Sequence, residues 1–333
     1  MAMITTTDTA IHIHKTMTTE APKLLRLQSW FSPAFPIGAF SYSHGLEWAV
    51  EEGSVTDRAS LVAWLEADLR HGSGRADAIF FAQAWRGTSA QAPSPGRCAS
   101  ALSREGRGRS PGVANGAAAD TRGWKNDCVT AHSRPLPSRE RAAAKPPGEG
   151  GHTANLMDGQ QLGAATAPSP LNDPARPCGR DILATATLAA AMRGTAELAL
   201  ESGQQGIAFL SAVRKAWPHP ELDRIANLLT QAAIAPVLPL AAGICCAVHD
   251  ISLELALPFY VHGSAANLVN AAVRLVPLGQ TDGQIALAAL EAAVLETARE
   301  ALSAPPGDIG SAAFMIDLAS MRHETQYTRL FRS

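Results

Sequence analysis

The stretch VLPLAAGICCAV, residues 237–248, holds no charged side chain and is apolar around its whole circumference when wound as a helix. Such a helix has no face for water, so it belongs at the centre of a bundle rather than on its surface. A membrane is the other home for an apolar run. The apolar stretch 232–248, however, is shorter than the roughly 20 residues a span needs, and it is interrupted by Pro236 and Pro239. The reading is a buried core helix with an irregular start, and the rest of the chain must wrap it.

Working outward, the wrapping is helical on both sides. Residues 57–71 place Leu61, Trp64, Leu65 and Leu69 on one stripe and stop at Gly72, and residues 77–86 repeat the pattern with Ile79, Phe80, Ala84 and Trp85. Helical spacing returns over residues 181–201, 205–215, 221–231 and 253–275, with a bend expected near Pro258. Thr281 and Gln284 match a capping box that opens a long helix ending by Pro305. Alternating strand patterns are almost absent, so the expected class is all-α, a bundle of roughly eight to ten helices.

With 333 residues, 46% of them hydrophobic, the chain can bury a substantial core, assigned here to a single helical domain over residues 24–87 and 181–319. Between residues 88 and 180 the character changes. That stretch holds 12 of the 27 Gly and 11 of the 22 Pro, Trp124 is its one aromatic, and its net charge is +5 against −7 for the remainder. Such a composition buries no core and reads as a low-complexity, basic, disordered insertion. Its arginines come without a reading fold or stacking aromatics, so no nucleic-acid partner is expected. Residues 1–23 are rich in Thr, lack the apolar run of a secretory signal and read as a disordered tail. Cys98, Cys128, Cys178, Cys245 and Cys246 form neither a metal-ligand spacing nor a disulfide framework, which points to a reducing, cytoplasmic setting.

Three blocks are too particular for ordinary helix surface. In SPAFPIGAFSYSHGLEWAVEEG, residues 32–53, Pro33 and Pro36 hold the chain extended, Gly38 permits a turn, and Ser41 or Ser43 can cap a helix that Gly53 ends. Tyr42, His44 and Glu47 stand there beside Phe35, Ile37, Phe40 and Trp48, a mixture suited to a contact surface. In HGSAANLVNAAVRLVPLGQTDGQ, residues 262–284, small residues allow close helix approach, while Asn267, Asn270, Arg274, Gln280 and Asp282 supply polar groups whose simplest role is to satisfy buried partners. The third block, MIDLASMRHETQYTRLFRS at residues 315–333, ends in a partner-binding tail assigned to 320–333 and carries Arg322, His323, Glu324, Gln326, Tyr327, Arg329, Phe331 and Arg332. Left alone it would be a floppy tail, but its composition is that of interface anchors that order on a partner.

Catalytic signatures are poor. Neither a phosphate-cradling G-x-x-x-x-G-K-[ST] run nor a G-x-S-x-G nucleophile elbow occurs. Ser41, His44 and Glu47 have the residue types of a triad at helical spacing, but a triad is recognised by geometry, and capping explains them as well. His71, His219, His249, His262 and His323 stand singly, and His12 with His14 could hold a metal only within the expected tail.

Taken together, the three blocks resemble the UreF family of urease accessory proteins. The likeness covers residues 24–86 and 181–333, including RGTAELALESGQQGIAFL at 193–210, while the 88–180 segment departs from the shorter connection of that family. The resemblance implies an all-helical, usually dimeric chaperone subunit without enzymatic activity or a cofactor of its own. It implies a complex with the accessory protein UreD (also called UreH) and the GTPase UreG on apo-urease, with nickel as cargo and GTP bound by the GTPase. By position it assigns Arg322, His323, Glu324, Tyr327 and Arg329 to UreD docking, with Tyr42, His44 and Glu47 as a second partner-facing surface. The alternatives are a nickel-binding metallochaperone and a helical hydrolase using Ser41, His44 and Glu47.

Overall fold

Helix α8, Leu238–Val248, sits at the centre as its composition requires: every residue from Pro239 to Cys246 is buried. The computed structural model describes residues 20–89, 178–305 and 307–333. All of them belong to one of two units, Met1–Ser94 with Pro174–Ser333. The expected 88–180 insertion lies outside the described residues except at its two ends, as do residues 1–19 of the expected N-terminal tail.

Among the described residues there are twelve α-helices, one three-residue 3-10 turn and no strand. In chain order they are α1 (residues 20–30), α2 (Leu46–Glu51), α3 (Arg58–His71), α4 (Ser73–Ser89), α5 (Cys178–Ala191), α6 (Ala196–Ala216), α7 (Pro220–Gln231), α8, α9 (Leu253–Leu275), α10 (Gln280–Ala289), α11 (Glu291–Ser303) and α12 (Phe314–His323). The class is the expected one, and the larger number reflects short helices and breaks that periodicity does not resolve.

Helix ends follow local chemistry. Asp57 caps α3 by accepting the Ser60 N–H at 2.8 Å, while Ser60 Oγ accepts the Asp57 N–H at 3.0 Å. The run expected to be continuous over 181–201 breaks at 192–195, where Thr195 Oγ1 accepts the Leu198 N–H at 3.1 Å and starts α6. The long helix expected from Thr281 begins instead at Gln280, with the Asp282 carboxylate accepting the Gly279 N–H at 3.4 Å. It breaks at buried Leu290, which ends α10 and precedes α11. Helix α9 keeps its expected bounds and contains Pro258. Other boundaries move too: Glu20 to Lys23 are helical, α4 begins at Ser73 rather than residue 77 and continues to Ser89 with Thr88 buried, and α6 runs unbroken across the gap expected at 202–204.

Helix α8 packs chiefly against α4 and α6. Closeness there depends on Gly243, since a Cβ at that position would lie 2.4 Å from the Phe81 carbonyl oxygen of α4. Beside this crossing an aromatic cluster joins α1 and the following loop to the core. Phe31 stacks on Phe209 of α6 at 6.0 Å between ring centres, Phe35 lies 5.2 Å from the same ring, and Phe81 lies 4.9 Å from Tyr260 of α9. The proline-bearing loop is thereby held over the end of the bundle, where the candidate site forms.

Candidate functional site

Two of the unusual sequence blocks, about 280 residues apart, are packed against each other. His44 and Gly45 follow one another in the left-handed region, with φ 58° and 78°, and together they turn the loop into α2. Gly45 is required twice over: a Cβ there would be strained by its φ and would meet the Ser320 backbone nitrogen of α12 at 2.7 Å. The close approach lets Glu47, in the first turn of α2, reach the segment that follows α12.

Glu47 is buried and organises that segment. Its Oε1 accepts the Leu330 N–H at 2.6 Å, and its Oε2 accepts the Phe331 N–H at 2.9 Å and faces His323 Nε2 at 3.0 Å. The other ring nitrogen of His323, which is fully buried, lies 2.6 Å from Glu197 Oε2 of α6, and Glu197 also pairs with Arg329 at 2.5 Å. Backbone bonds complete the seat, from Arg332 N–H to the Ser41 carbonyl and from Ser43 N–H to the Ser333 carbonyl, each at 2.8 Å. Glu51 accepts from the Gln326 amide, and Arg274 of α9 stacks 4.4 Å from the Phe331 ring centre.

One layer deeper is a cavity of about 70 Å³, room for a few waters, in which His44, Asp68, Asp77, Arg193, Glu201 and Gln205 gather among apolar side chains. His44 Nδ1 pairs with Glu201 Oε2 at 3.5 Å and its Nε2 meets Ser73 Oγ at 2.6 Å, while Ser73 donates to Asp68 at 2.8 Å. Burial alone would depress the His44 imidazole, but the Glu201 carboxylate, with Asp68 and Asp77 behind it, outweighs burial and raises it to about 9. Glu201 is moved the opposite way: burial pushes it up, yet His44 and the hydroxyl of Ser333, 2.7 Å away, hold it below its ordinary value. Asp77 is raised by burial against its pairing with Arg193 at 2.7 Å. Ser333 therefore connects the docked segment to the cavity.

The expected site residues fall into two groups, with Arg329 shared between them. Tyr42, His44, Glu47, His323 and Arg329 meet in this seat, with the Tyr42 hydroxyl donating to Gln204 at 3.0 Å and its ionisation opposed first by burial. Arg322, Glu324, Tyr327 and Arg329 are exposed, although Glu324 also accepts the Ala196 N–H at 3.0 Å and so caps α6. Ser41, His44 and Glu47 bond to different partners and form no relay with one another. Among the described residues no three His, Cys, Asp or Glu side chains are placed to hold a metal ion, and burial raises both Cys245 and Cys246 away from the thiolate form. Sequence reasoning missed Glu197, Glu201 and Arg193. Their signal was present, because Glu197, Glu201 and Gln205 recur every fourth residue along one face of α6, with Arg193 four residues earlier in the break before it.

Fold and site together define an all-helical protein whose ordered polar groups hold its own C-terminal segment, with apolar side chains left outward beside it. The UreF family profile matches residues 55–106 and 160–291. The chain is 36% identical over 332 residues to the urease accessory protein UreF of Bradyrhizobium diazoefficiens, covering 99% of this chain and 100% of the relative. It is 38% identical over 314 residues to the UreF of Rhodopseudomonas palustris strain HaA2, covering 94% and 95%. The chain belongs to the UreF family of urease accessory proteins.

Proposed function

We propose that this chain is a non-catalytic scaffold subunit in urease maturation, acting with UreD and UreG on the urease apoprotein while nickel is delivered with GTP hydrolysis. Nickel is the cargo, GTP is bound by the GTPase, and the scaffold carries no cofactor of its own. Free nickel would be taken by competing nitrogen and sulfur ligands, so delivery benefits from a closed assembly. Coupling to nucleotide requires a scaffold whose affinity for its client differs between two arrangements. Homodimerisation and a cytoplasmic location belong to this reading; among the described residues no helix is long and apolar enough to cross a membrane.

The observation that carries the reading is the outer side of α12 and the segment after it. Phe314, Met315, Leu318, Met321, Tyr327 and Leu330 are all exposed, Tyr327 completely, among the charged groups Arg322, Glu324 and Arg329. So many large apolar side chains in one region, rimmed by charge, are the composition of a protein interface. We assign UreD to this face. Deleting residues 320–333 would also uncover the seat beneath, so the cleaner test replaces outward side chains only. Co-expression of Phe314→Ala/Met321→Ala/Tyr327→Ala with UreD is expected to abolish the complex while the variant keeps its helical content. Recovery of the complex at wild-type yield would refute the assignment.

A further inference from the structure

We propose that residues 323–333 form a proton-operated latch, in which a proton shared by His323, Glu47 and Glu197 holds the segment on α2 and α6 and its loss releases it. The argument is one of hydrogen-bond chemistry. A neutral imidazole has one N–H and one lone pair, yet His323 presents each ring nitrogen to a carboxylate, at 2.6 Å and 3.0 Å. A lone pair against a carboxylate at that distance is repulsive. The seat as built therefore holds one proton more than a neutral ring and two free carboxylates would carry, and the ring, with a carboxylate at each nitrogen, is its place.

Charge balance points the same way. Around His323, α2 contributes Glu47 and Glu51, α6 contributes Glu197 with Glu201 one turn on, and the segment itself contributes Arg329, with Glu324 and Arg322 outward. The loop adds His44, paired with Glu201, and α9 adds Arg274 over the Phe331 ring. With the extra proton, Glu47 and Glu197 are offset by His323 and Arg329. Without it a carboxylate is left uncompensated in a buried site, and that same Glu47 is the acceptor for the Leu330 and Phe331 amides. Release would uncover buried Ser43 and withdraw the Ser333 hydroxyl from Glu201, the partner of His44. The inference concerns the chain alone and stands whether or not UreD binds the outer face.

Two measurements on the full-length protein test it. In chain labelled with ¹⁵N-histidine, with His323→Gln to assign the signal, both His323 nitrogens are expected to resonate as protonated at neutral pH; one pyridine-like nitrogen would overturn the proposal. On a His44→Gln background, which removes the other alkaline titration in the bundle, hydrogen exchange, corrected for intrinsic rates from about pH 6 to about pH 10, is then read on peptides covering 326–333 and 238–248 together. Protection of the former is expected to fall about tenfold or more while α8 stays protected. A flat profile, or loss in both peptides at the same pH, would sink the idea. So would a His323→Gln protein whose terminal segment keeps the wild-type pH response.

Discussion

Helix α8 is buried almost throughout and the docked segment 323–333 is anchored by buried His323, Gln326, Phe331 and Ser333, yet the two are held by opposite means. Around α8 there is only shape: small and branched side chains, Gly243 against a carbonyl, and no titratable group among its own residues but two thiols held protonated. The segment after α12 is held by Glu47, Glu197, Glu201, Ser43 and Ser41, each making directional bonds to it. Contacts of shape are indifferent to pH and yield only when the bundle yields. Contacts of charge are local, conditional on protonation and separable from the fold, which is what a regulated surface needs.

The comparison breaks most visibly in the core. Phe81→Ala, which removes a ring between Phe31, Tyr260 and α8, is expected to cost about 3–5 kcal/mol of global stability in denaturant unfolding, with little dependence on pH. Glu47→Ala strips one imidazole and two amides of their acceptor and should cost about 3 kcal/mol, but locally. Limited proteolysis is expected to trim that variant after α12 while α8 peptides stay protected. If instead the whole chain unfolds in one step, segment and core are a single cooperative unit.

A pH titration sharpens the contrast. His44 titrates near 6.5 when unfolded and about 9 in the fold, so its stabilisation is complete below pH 6.5 and is lost as pH rises through 9. The loss between pH 7 and pH 10 is on the order of 2 kcal/mol. Replacing His44 by Gln should flatten that alkaline limb in urea unfolding. The smallest effect belongs to the outside: Tyr327→Ala is fully exposed and should change stability by less than about 0.5 kcal/mol, so a loss of partner binding would be a true interface effect.

Much of the fold was legible from residues alone. The extent of α3 and its Gly72 stop, the bounds of α9 and the central place of residues 237–248 follow from local rules and periodicity. The break at Thr195 and the shift from Thr281 to Gly279 were not, because several small polar residues compete to cap a helix and tertiary contacts select among them. Each half of the site was visible as an odd composition. Their mutual docking was not, since it depends on Gly45 meeting Ser320 and on which face of α6 turns inward, neither of which spacing encodes.

The paired thiols of Cys245 and Cys246 give the molecule a clock for opening of its interior. Neither side chain is accessible, and neither can ionise where it sits. An alkylating reagent will modify this pair only in copies whose middle has come apart, so its incorporation at those two positions, read by mass spectrometry, times complete disassembly of the bundle separately from events at the C-terminal segment.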